Sequence, residues 1–327
     1  MWSKVRALIT GISGQDGRYL APLLQSLNYE VHGLSRDTIS DREVLLDLSG
    51  VILHKVDTAD YSQIRSHIDH IQPNLLFNLA GISSVNQSFG LFNETISANF
   101  LFLEKILRSI LELGLKDFTR IYQASSSEMF GRTSTVPQTE KSPFNPLSPY
   151  GLSKLASHHL CSQYREREGM FISSGILYNH ESPKRSEIFV TRKITKAVAG
   201  IRLGLTKELI LGNVSAQRDW GFAGDYVAAM VAMLLHETPQ DFIVATGLSH
   251  SVLEFVKEAF KAVGMEGAEV HFLKSSSEFV RKQDHTNLVG DSTKAREILD
   301  WEPKKTFQML IQEMVEIDML RLSSHRI

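Results

Sequence analysis

Tyr150 and Lys154 stand four positions apart in SPYGLSK, a spacing that puts both side chains on one face of a helix. A phenol, with an unperturbed pKa near ~10, needs help to act as a base, and an ammonium one turn away gives it by favouring the phenolate. Taken blind, such a pair can equally decorate a surface helix. Glu128, earlier in the chain, closes the apolar run IYQASSSEMFG and adds what a Tyr/Lys pair lacks, a carboxylate able to take a proton from carbon. If that run is a strand end, residues two apart share a side, so Ser126 and Glu128 are expected to project together. The hydroxyl would then hydrogen-bond an oxygen of whatever is bound while the carboxylate moves protons. The plain alternative is a strand-to-loop turn with a solvent-exposed glutamate.

A second group of residues could hold a cofactor. In ALITGISGQDGRYLA, Gly11, Gly14 and Gly17 follow an expected strand and open an expected helix. Glycines there let the backbone turn tightly and approach a pyrophosphate, whose charge meets the helix N-terminus. After the second expected strand, an NAD protein commonly carries an acid for the ribose 2′-hydroxyl, but this chain offers GLSRDTISDR. Arg36 suggests a 2′-phosphate, hence NADP. Asp37 beside it would repel that phosphate or bind a ribose instead, which keeps NAD as the alternative. Asp57, after the third expected strand, could meet the adenine edge; a helix N-cap near Thr58 or Asp60 is the ordinary reading.

Positioning these residues requires strands whose carboxyl ends converge on one edge. Short β-type runs alternate with amphipathic segments, which implies a parallel sheet covered by helices on both faces. Strands are expected at VRALIT, EVHGL, VILHKV, NLLFNLA, RIYQASS and FISSGILY, with helices near 17–27, 60–71, 92–113 and 149–168. The fold class is therefore α/β, a doubly wound parallel (Rossmann) sheet with a smaller, mixed C-terminal lobe. Residues 1–180 form the dinucleotide-binding domain. Residues 181–327 form mainly a substrate-binding lobe, some of whose segments return to the first domain. In the second part helices are expected near 187–204, 223–236, 251–263 and 306–322, with short strands at ELILG, DFIVAT and EVHFL. The stretch 131–149 reads as an irregular loop leading into the tyrosine-bearing helix.

Composition limits the classes of function. The chain has 327 residues, 43% hydrophobic and 22% charged, with a net charge of −2, so it can bury a large core and carries no nucleic-acid footprint in its overall balance. Cys161 is the only cysteine, which rules out an intramolecular disulfide framework and any multi-cysteine metal site, and fits a reducing, cytoplasmic setting. The N-terminal apolar stretch is too short for a signal peptide, and no run approaches the ~18 apolar residues of a membrane span.

The residues together resemble the extended short-chain dehydrogenase/reductases and, within them, the GDP-mannose 4,6-dehydratase family. The resemblance runs through TGISGQDGRYLA, YEVHGLSR, NLAGISSVNQSF, QASSSEMFG, SPYGLSK, GILYNHESPKRSEIFVTRKI, LGNVSAQRDWGFAGDYVAAM and VATGLSHSVLEFV. It implies catalysis by Ser126, Glu128, Tyr150 and Lys154 in an internal redox cycle. Tyr150 takes the proton of the sugar 4-hydroxyl as hydride leaves C4 for the nicotinamide. Glu128 then removes the C5 proton, made acidic by the C4 ketone, and helps water leave from C6, to which the hydride returns. The same resemblance implies cofactor contacts at Gln15, Asp16, Leu79, Ala80, Ser83, His180 and Arg185. It implies GDP contacts at Asn179, Val190, Lys193, Arg218 and Arg281. It also implies a homo-oligomer, dimer or tetramer, in which the loop at about 35–43 reaches a neighbour's cofactor.

Three departures from the family pattern bear on the substrate and the cofactor phosphate. Arg36 is followed by Asp37 where two arginines are common, and Ile82 and Ser84 replace a usual Gln and His. A usual Arg-Pro-x-Glu stretch is here Arg281-Lys282-Gln283-Asp284. They leave other readings open: a 4,6-dehydratase of another GDP-hexose or GDP-heptose, a GDP-4-keto-6-deoxysugar reductase or epimerase, or a non-catalytic nucleotide-sugar binder.

Overall fold

A computed structural model describes residues 5–276 and 288–324. Six strands of the N-terminal part, β1 (Arg6–Thr10), β2 (Glu30–Ser35), β3 (Ile52–Lys55), β4 (Leu75–Asn78), β5 (Arg120–Ser126) and β6 (Ile172–Leu177), match the six expected apolar runs to within about two residues at either end. They pair in parallel in the order β6-β5-β4-β1-β2-β3, and the order reverses between β1 and β4. That reversal opens a crevice beyond the strands' carboxyl ends.

The helices α1 (Gln15–Ser26), α2 (Arg42–Asp47), α3 (Tyr61–Ile71), α4 (Val85–Gly90), α5 (Phe92–Ile96), α6 (Phe102–Glu112) and α7 (Pro149–Glu168) follow in chain order between these strands. Ile64, Ile68, Ile106, Leu107 and Ile110 recur at helical spacing and seal one sheet face with Leu8, Leu76 and Ile121. The other face is covered by α1 and by α9 (Ala223–Leu235), where Leu20, Leu24, Met230 and Met233 pack on Phe77 and Tyr122.

The remaining strands are β7 (Asn179–Glu181), β8 (Leu209–Leu211), β9 (Gln217–Phe222), β10 (Asp241–Val244), β11 (Ser249–Ser251) and β12 (Leu273–Ser275). β10, from the expected run DFIVAT, pairs with β6 and becomes the seventh strand of the large sheet. The others form a three-stranded sheet, β11-β9-β7, and a two-stranded one, β12-β8. They pack with α8 (Val190–Arg202), α10 (Val252–Ala262) and α13 (Phe307–Ser324) around a second core containing Trp220, Phe255, Phe260 and Phe307.

Two expectations need correcting. EVHFL is not a strand over its length: α11 (Glu269–Phe272) occupies its first four residues and β12 begins only at its last, Leu273, while a last helix, α12 (Thr293–Leu299), precedes α13. The continuous helix expected over 92–113 is interrupted, because Ser97–Leu101 between α5 and α6 widens into a π turn. Apolar periodicity does not register such a turn, which is made by a polar side chain drawn into the core.

α8 and α13 are joined through charge. The buried Arg192 guanidinium bonds the Asp318 carboxylate, and Thr195 Oγ1 donates to Asp318 Oδ2 at 2.7 Å. Removing one member leaves the other buried and unpaired, at a cost of about 3–5 kcal/mol. Asp318→Ala is therefore expected to lower the urea midpoint of the C-terminal core, and the double change with Arg192→Leu should recover part of the loss. Equal midpoints for Asp318→Ala and the parent would show that the pair carries no such weight.

Candidate functional site

The glycine loop is a cradle that side chains would fill. Gly11 adopts φ +67°, and a Cβ there would lie 2.9 Å from the Ala80 backbone. A Cβ on Gly17 would lie 2.3 Å from the Ile12 carbonyl oxygen. Gly14 caps α1 without any side-chain hydrogen bond, so the helix presents its first amides to the crevice. Opposite, Thr10 Oγ1 donates to Asn78 Oδ1 and accepts from the amides of Leu79 and Ala80, fixing the end of β4 against the loop. These residues fit a dinucleotide pyrophosphate.

A groove runs from this loop along the carboxyl ends of β1 and β2. It is lined by Gly11, Ser35, Arg36, Val56, Ala80 and Ile82 among others. Arg36 is exposed, and both its Nε and Nη2 donate to Asp37 Oδ2 at 3.1 Å. Asp57 is exposed and accepts from the Ala59 amide, while Asp60 caps α3. The N-cap alternative therefore holds for Asp60.

The four residues expected to react meet on the other side of the loop. β5 ends at Ser126, and the chain turns at once into a single 3₁₀ turn, Ser127–Met129. Glu128 thus sits on the turn and not on the strand, with its amide donating to Ser126 Oγ at 3.2 Å. The expected period-two projection is corrected, although both residues do line one cleft with Tyr150 and Lys154. α7 starts against this turn: Ser148 caps it, Pro149 occupies its first position, and Gly151 packs where a Cβ would lie 2.6 Å from the Glu128 carbonyl oxygen.

Burial dominates the electrostatics of the pair. Tyr150 is half-buried in the cleft wall, and desolvation pushes its pKa up to about 12, against a hydrogen bond from Ser126 that lowers it, while the Glu128 charge adds to the rise. Lys154 Nζ donates to the Ala124 carbonyl at 2.9 Å and lies 5.8 Å from the Tyr150 ring centroid. Desolvation pushes its pKa down to about 8. The expectation of a phenol depressed by its lysine is therefore corrected for the chain alone: burial works against the charged form of each group.

His180 and Asp16 form the charged end of the cleft. The imidazole Nδ1 lies 2.8 Å from the Tyr178 carbonyl, which can only accept, and Nε2 lies 3.0 Å from Asp16 Oδ2. Both nitrogens therefore donate, and the ring is an imidazolium. Burial opposes that charge, but Asp16 outweighs it and the pKa of His180 is raised; that of Asp16 is lowered, again against burial. Gln15 Nε2 donates to the His180 carbonyl at 3.0 Å, and the Arg185 guanidinium lies over the Phe189 ring and 3.2 Å from Glu181.

Leu79 and Ser83 also line the cleft. Asn179 and Phe189 belong both to it and to an adjoining pocket walled by Val190, Arg218, Trp220 and Leu211. Lys193 follows Val190 by three on α8 and is not among that pocket's lining residues. Arg281 lies outside the described residues. Ile82 lines the dinucleotide groove, and Ser84 caps α4, so neither forms the wall of the reacting cleft.

Asn99 is a residue that sequence reasoning missed. It sits in the π turn, accepts from the Ile82 amide at 2.8 Å, and donates to the Ile82 carbonyl and to Ser153 Oγ. It ties the loop after β4 to α7, and a lone Asn within the apolar run NFLFL was the available signal. Among the described residues, no group of three His, Cys, Asp or Glu could hold a metal ion, and no helix is long and apolar enough to cross a membrane.

The Asp16–His180 pair has a testable pH signature. A raised histidine adds stability that is full below its unfolded value, about 6.5, and is lost as pH rises through the folded value; a lowered aspartate adds stability that is full above about 3.9 and is lost on acidification. The pair's contribution is therefore complete between those two values. Asp16→Asn should drop the His180 titration, followed by NMR, below that of the parent, and an unchanged titration would remove the pairing.

The family described as GDP-mannose 4,6 dehydratase matches residues 8–314. The Arabidopsis thaliana protein GDP-mannose 4,6 dehydratase 2 is 43% identical over 96% of this chain and 86% of its own. Among solved structures, RMD from Pseudomonas aeruginosa complexed with NADPH superposes with a TM-score of 0.82 at 20% identity, over 97% of this chain and all of that one (100%). The Thermus thermophilus UDP-glucose 4-epimerase complexed with NAD gives 0.84 at 23%, over 96% and 99%. These structures share the fold. With a family match over nearly the whole length and relatives at this identity, the chain belongs to the GDP-mannose 4,6-dehydratase family.

Proposed function

We propose that the cleft of Ser126, Glu128, Tyr150 and Lys154 removes water from GDP-mannose and leaves a GDP-4-keto-6-deoxy sugar. The function is 4,6-dehydration of GDP-mannose, a hydro-lyase reaction. The observation that carries the assignment of residues is the Glu128 turn packed on the start of α7, with the carboxylate charge felt at the Tyr150 phenol.

When bound, the oxidised nicotinamide supplies a hydride acceptor, later a donor, and a positive ring charge that opposes the desolvation holding the phenol neutral. Tyr150 Oη takes the proton of the 4-hydroxyl, and Ser126 Oγ, hydrogen-bonded to that phenol, steadies the oxygen. Once C4 is a ketone, the C5 hydrogen is acidic. Glu128 takes that proton and returns one to the C6 hydroxyl; the C5–H pair becomes the C5–C6 double bond as the C6–O bond breaks and water departs, and with the hydride restored to C6 a solvent-exchangeable proton, equivalent to the one Tyr150 removed, is delivered to C5 through Glu128.

Asn179, Val190 and Arg218 hold the GDP end, a reading supported by the pocket that continues from the cleft past Asn179 and Phe189. Lys193 and Arg281 join them by resemblance alone. The cofactor is NADP, held by Gly11, Gly14, Gly17 and the residues around them, with Arg36 turning from Asp37 to the 2′-phosphate; its place on the groove rim supports this. Asp57 meets the adenine edge, and His180 with Arg185 closes the nicotinamide end. The chain works as a homo-oligomer. The exposure of α2, which buries none of its residues, supports a partner there.

Glu128→Gln is the decisive variant. It should keep cofactor and nucleotide sugar bound, lose turnover by about 10²-fold or more, and fail to exchange solvent deuterium into C5. Normal turnover with normal exchange would defeat the role given to Glu128. Mass spectrometry of the dinucleotide released from purified protein should find NADP, and NAD alone would defeat the assignment of Arg36.

A further inference from the structure

Behind the reacting cleft lies a buried chain of polar groups that the dehydration does not use. Ser125 Oγ lies 3.0 Å from His158 Nδ1, His158 Nε2 faces Asp241 Oδ2 at 3.8 Å, and Arg165 grips both Asp241 oxygens at 2.9 Å. Ser125 is 3% exposed and His158 5%. Lys154, His158 and Arg165 recur along one face of α7, at i, i+4 and i+11, while Asp241 arrives on β10 from the far end of the chain.

The order of donors is fixed by charge. The Asp241 carboxylate, held ionised by Arg165 and 3.8 Å from Nε2, favours a proton on that nitrogen, which makes Nδ1 the acceptor and Ser125 its donor. Burial pushes the His158 pKa down, partly offset by Asp241 and reinforced by His159 and Arg165, so the neutral ring persists at neutral pH. His159 and Arg165 approach from α7 and Asp241 from β10; the remaining neighbour, Phe144, makes an edge contact at 5.4 Å.

We propose that His158 is a positioning residue for Lys154: by anchoring Ser125 it fixes the Ala124–Ser125 peptide whose carbonyl holds the lysine ammonium. The Lys154 Nζ bond is to the Ala124 oxygen, and Ala124 and Ser125 share one planar peptide unit. β4 pairs with β5 only as far as Gln123, so beyond that point the β5 backbone has a sheet partner on the β6 side alone. On the β4 side the Gln123 side-chain amide, held by Asn78, donates to the Ala124 carbonyl at 3.1 Å, and α7 adds two bonds one turn apart, Lys154 to the same carbonyl and His158 to the next side chain.

The proposal rests on Lys154 belonging to the reacting site, and its test separates the two ideas by reading the free protein first. Histidine ¹⁵N NMR should show His158 neutral and protonated on Nε2 at neutral pH; an Nδ1-protonated or cationic ring would overturn the clamp. Lys154, whose pKa burial already pushes down to about 8, should fall by about a further unit in His158→Phe, because its ammonium loses the fixed Ala124 acceptor. His158→Asn, which keeps an acceptor near the Nδ1 position, should restore the parent titration. Turnover should follow, with kcat down about tenfold in His158→Phe, KM little changed, and recovery in His158→Asn. An unmoved Lys154 titration in His158→Phe overturns the proposal, as does equal loss in both variants. Should the phenylalanine variant not fold, Ser125→Ala removes only the hydroxyl and must move Lys154 in the same direction. A parent that passes the NMR test but dehydrates no GDP-sugar would refute the dehydratase reading and leave the clamp standing.

Discussion

The site depends on one close approach of backbone to backbone, the seating of α7 against the turn after β5. At Gly151 there is no room for a side chain, since a Cβ would lie 2.6 Å from the Glu128 carbonyl oxygen. With that contact made, Tyr150 is carried onto the carboxylate-bearing turn, Lys154 onto the Ala124 carbonyl and His158 onto Ser125. All three are consequences of one rigid helix meeting one strand end, so the spacing of the reacting groups is set by helical geometry and not by flexible side chains. The loop at 131–149 is then a tether: Gly131, at φ +49°, packs against the Asn145 carbonyl and closes the excursion on itself.

What holds the approach in place is the sheet. β5 is central, paired with β4 and β6, and β10 returns from the second half of the chain to cover β6. Arg165 and Asp241 close the loop by joining α7 to β10 directly. The C-terminal segment therefore does two jobs: it walls the pocket beside Asn179, through β7, β9 and α8, and it buttresses the sheet on which Ser126 stands.

Much of this was legible in the sequence, for identifiable reasons. Buried parallel strands are continuous apolar runs, so β1 to β6 were found almost to the residue; α7 was found because Ser148 and Pro149 mark its start and Gly169 its end. The glycine cradle and the Ser126, Glu128, Tyr150, Lys154 cluster were legible because chemistry restricts residue type. What was not legible depends on long-range contacts. The π turn at Asn99, the 3₁₀ turn under Glu128 and the pairing of β9 with β7 and β11 leave no periodicity in the chain. Nor can spacing foretell that burial outweighs the Tyr150/Lys154 attraction, because desolvation is a property of the assembled cleft.

That last balance gives the cleft its character. Raising a phenol from 10 to about 12 amounts to roughly 3 kcal/mol favouring the neutral form, at about 1.4 kcal/mol per unit. Lowering a lysine from 10.5 to about 8 penalises its ammonium to a similar degree. Tyr150 is thus held neutral and the Lys154 ammonium, though still present at neutral pH, is held at a cost, while the neighbouring Asp16 and His180 are held as ions by each other. Under the proposed function, a phenol held this way ionises only when charge of the right sign arrives beside it, so proton removal would follow occupancy of the groove. Asn99 ties the two regions together, since it joins the Ile82 loop lining the groove to Ser153, between Tyr150 and Lys154 on α7.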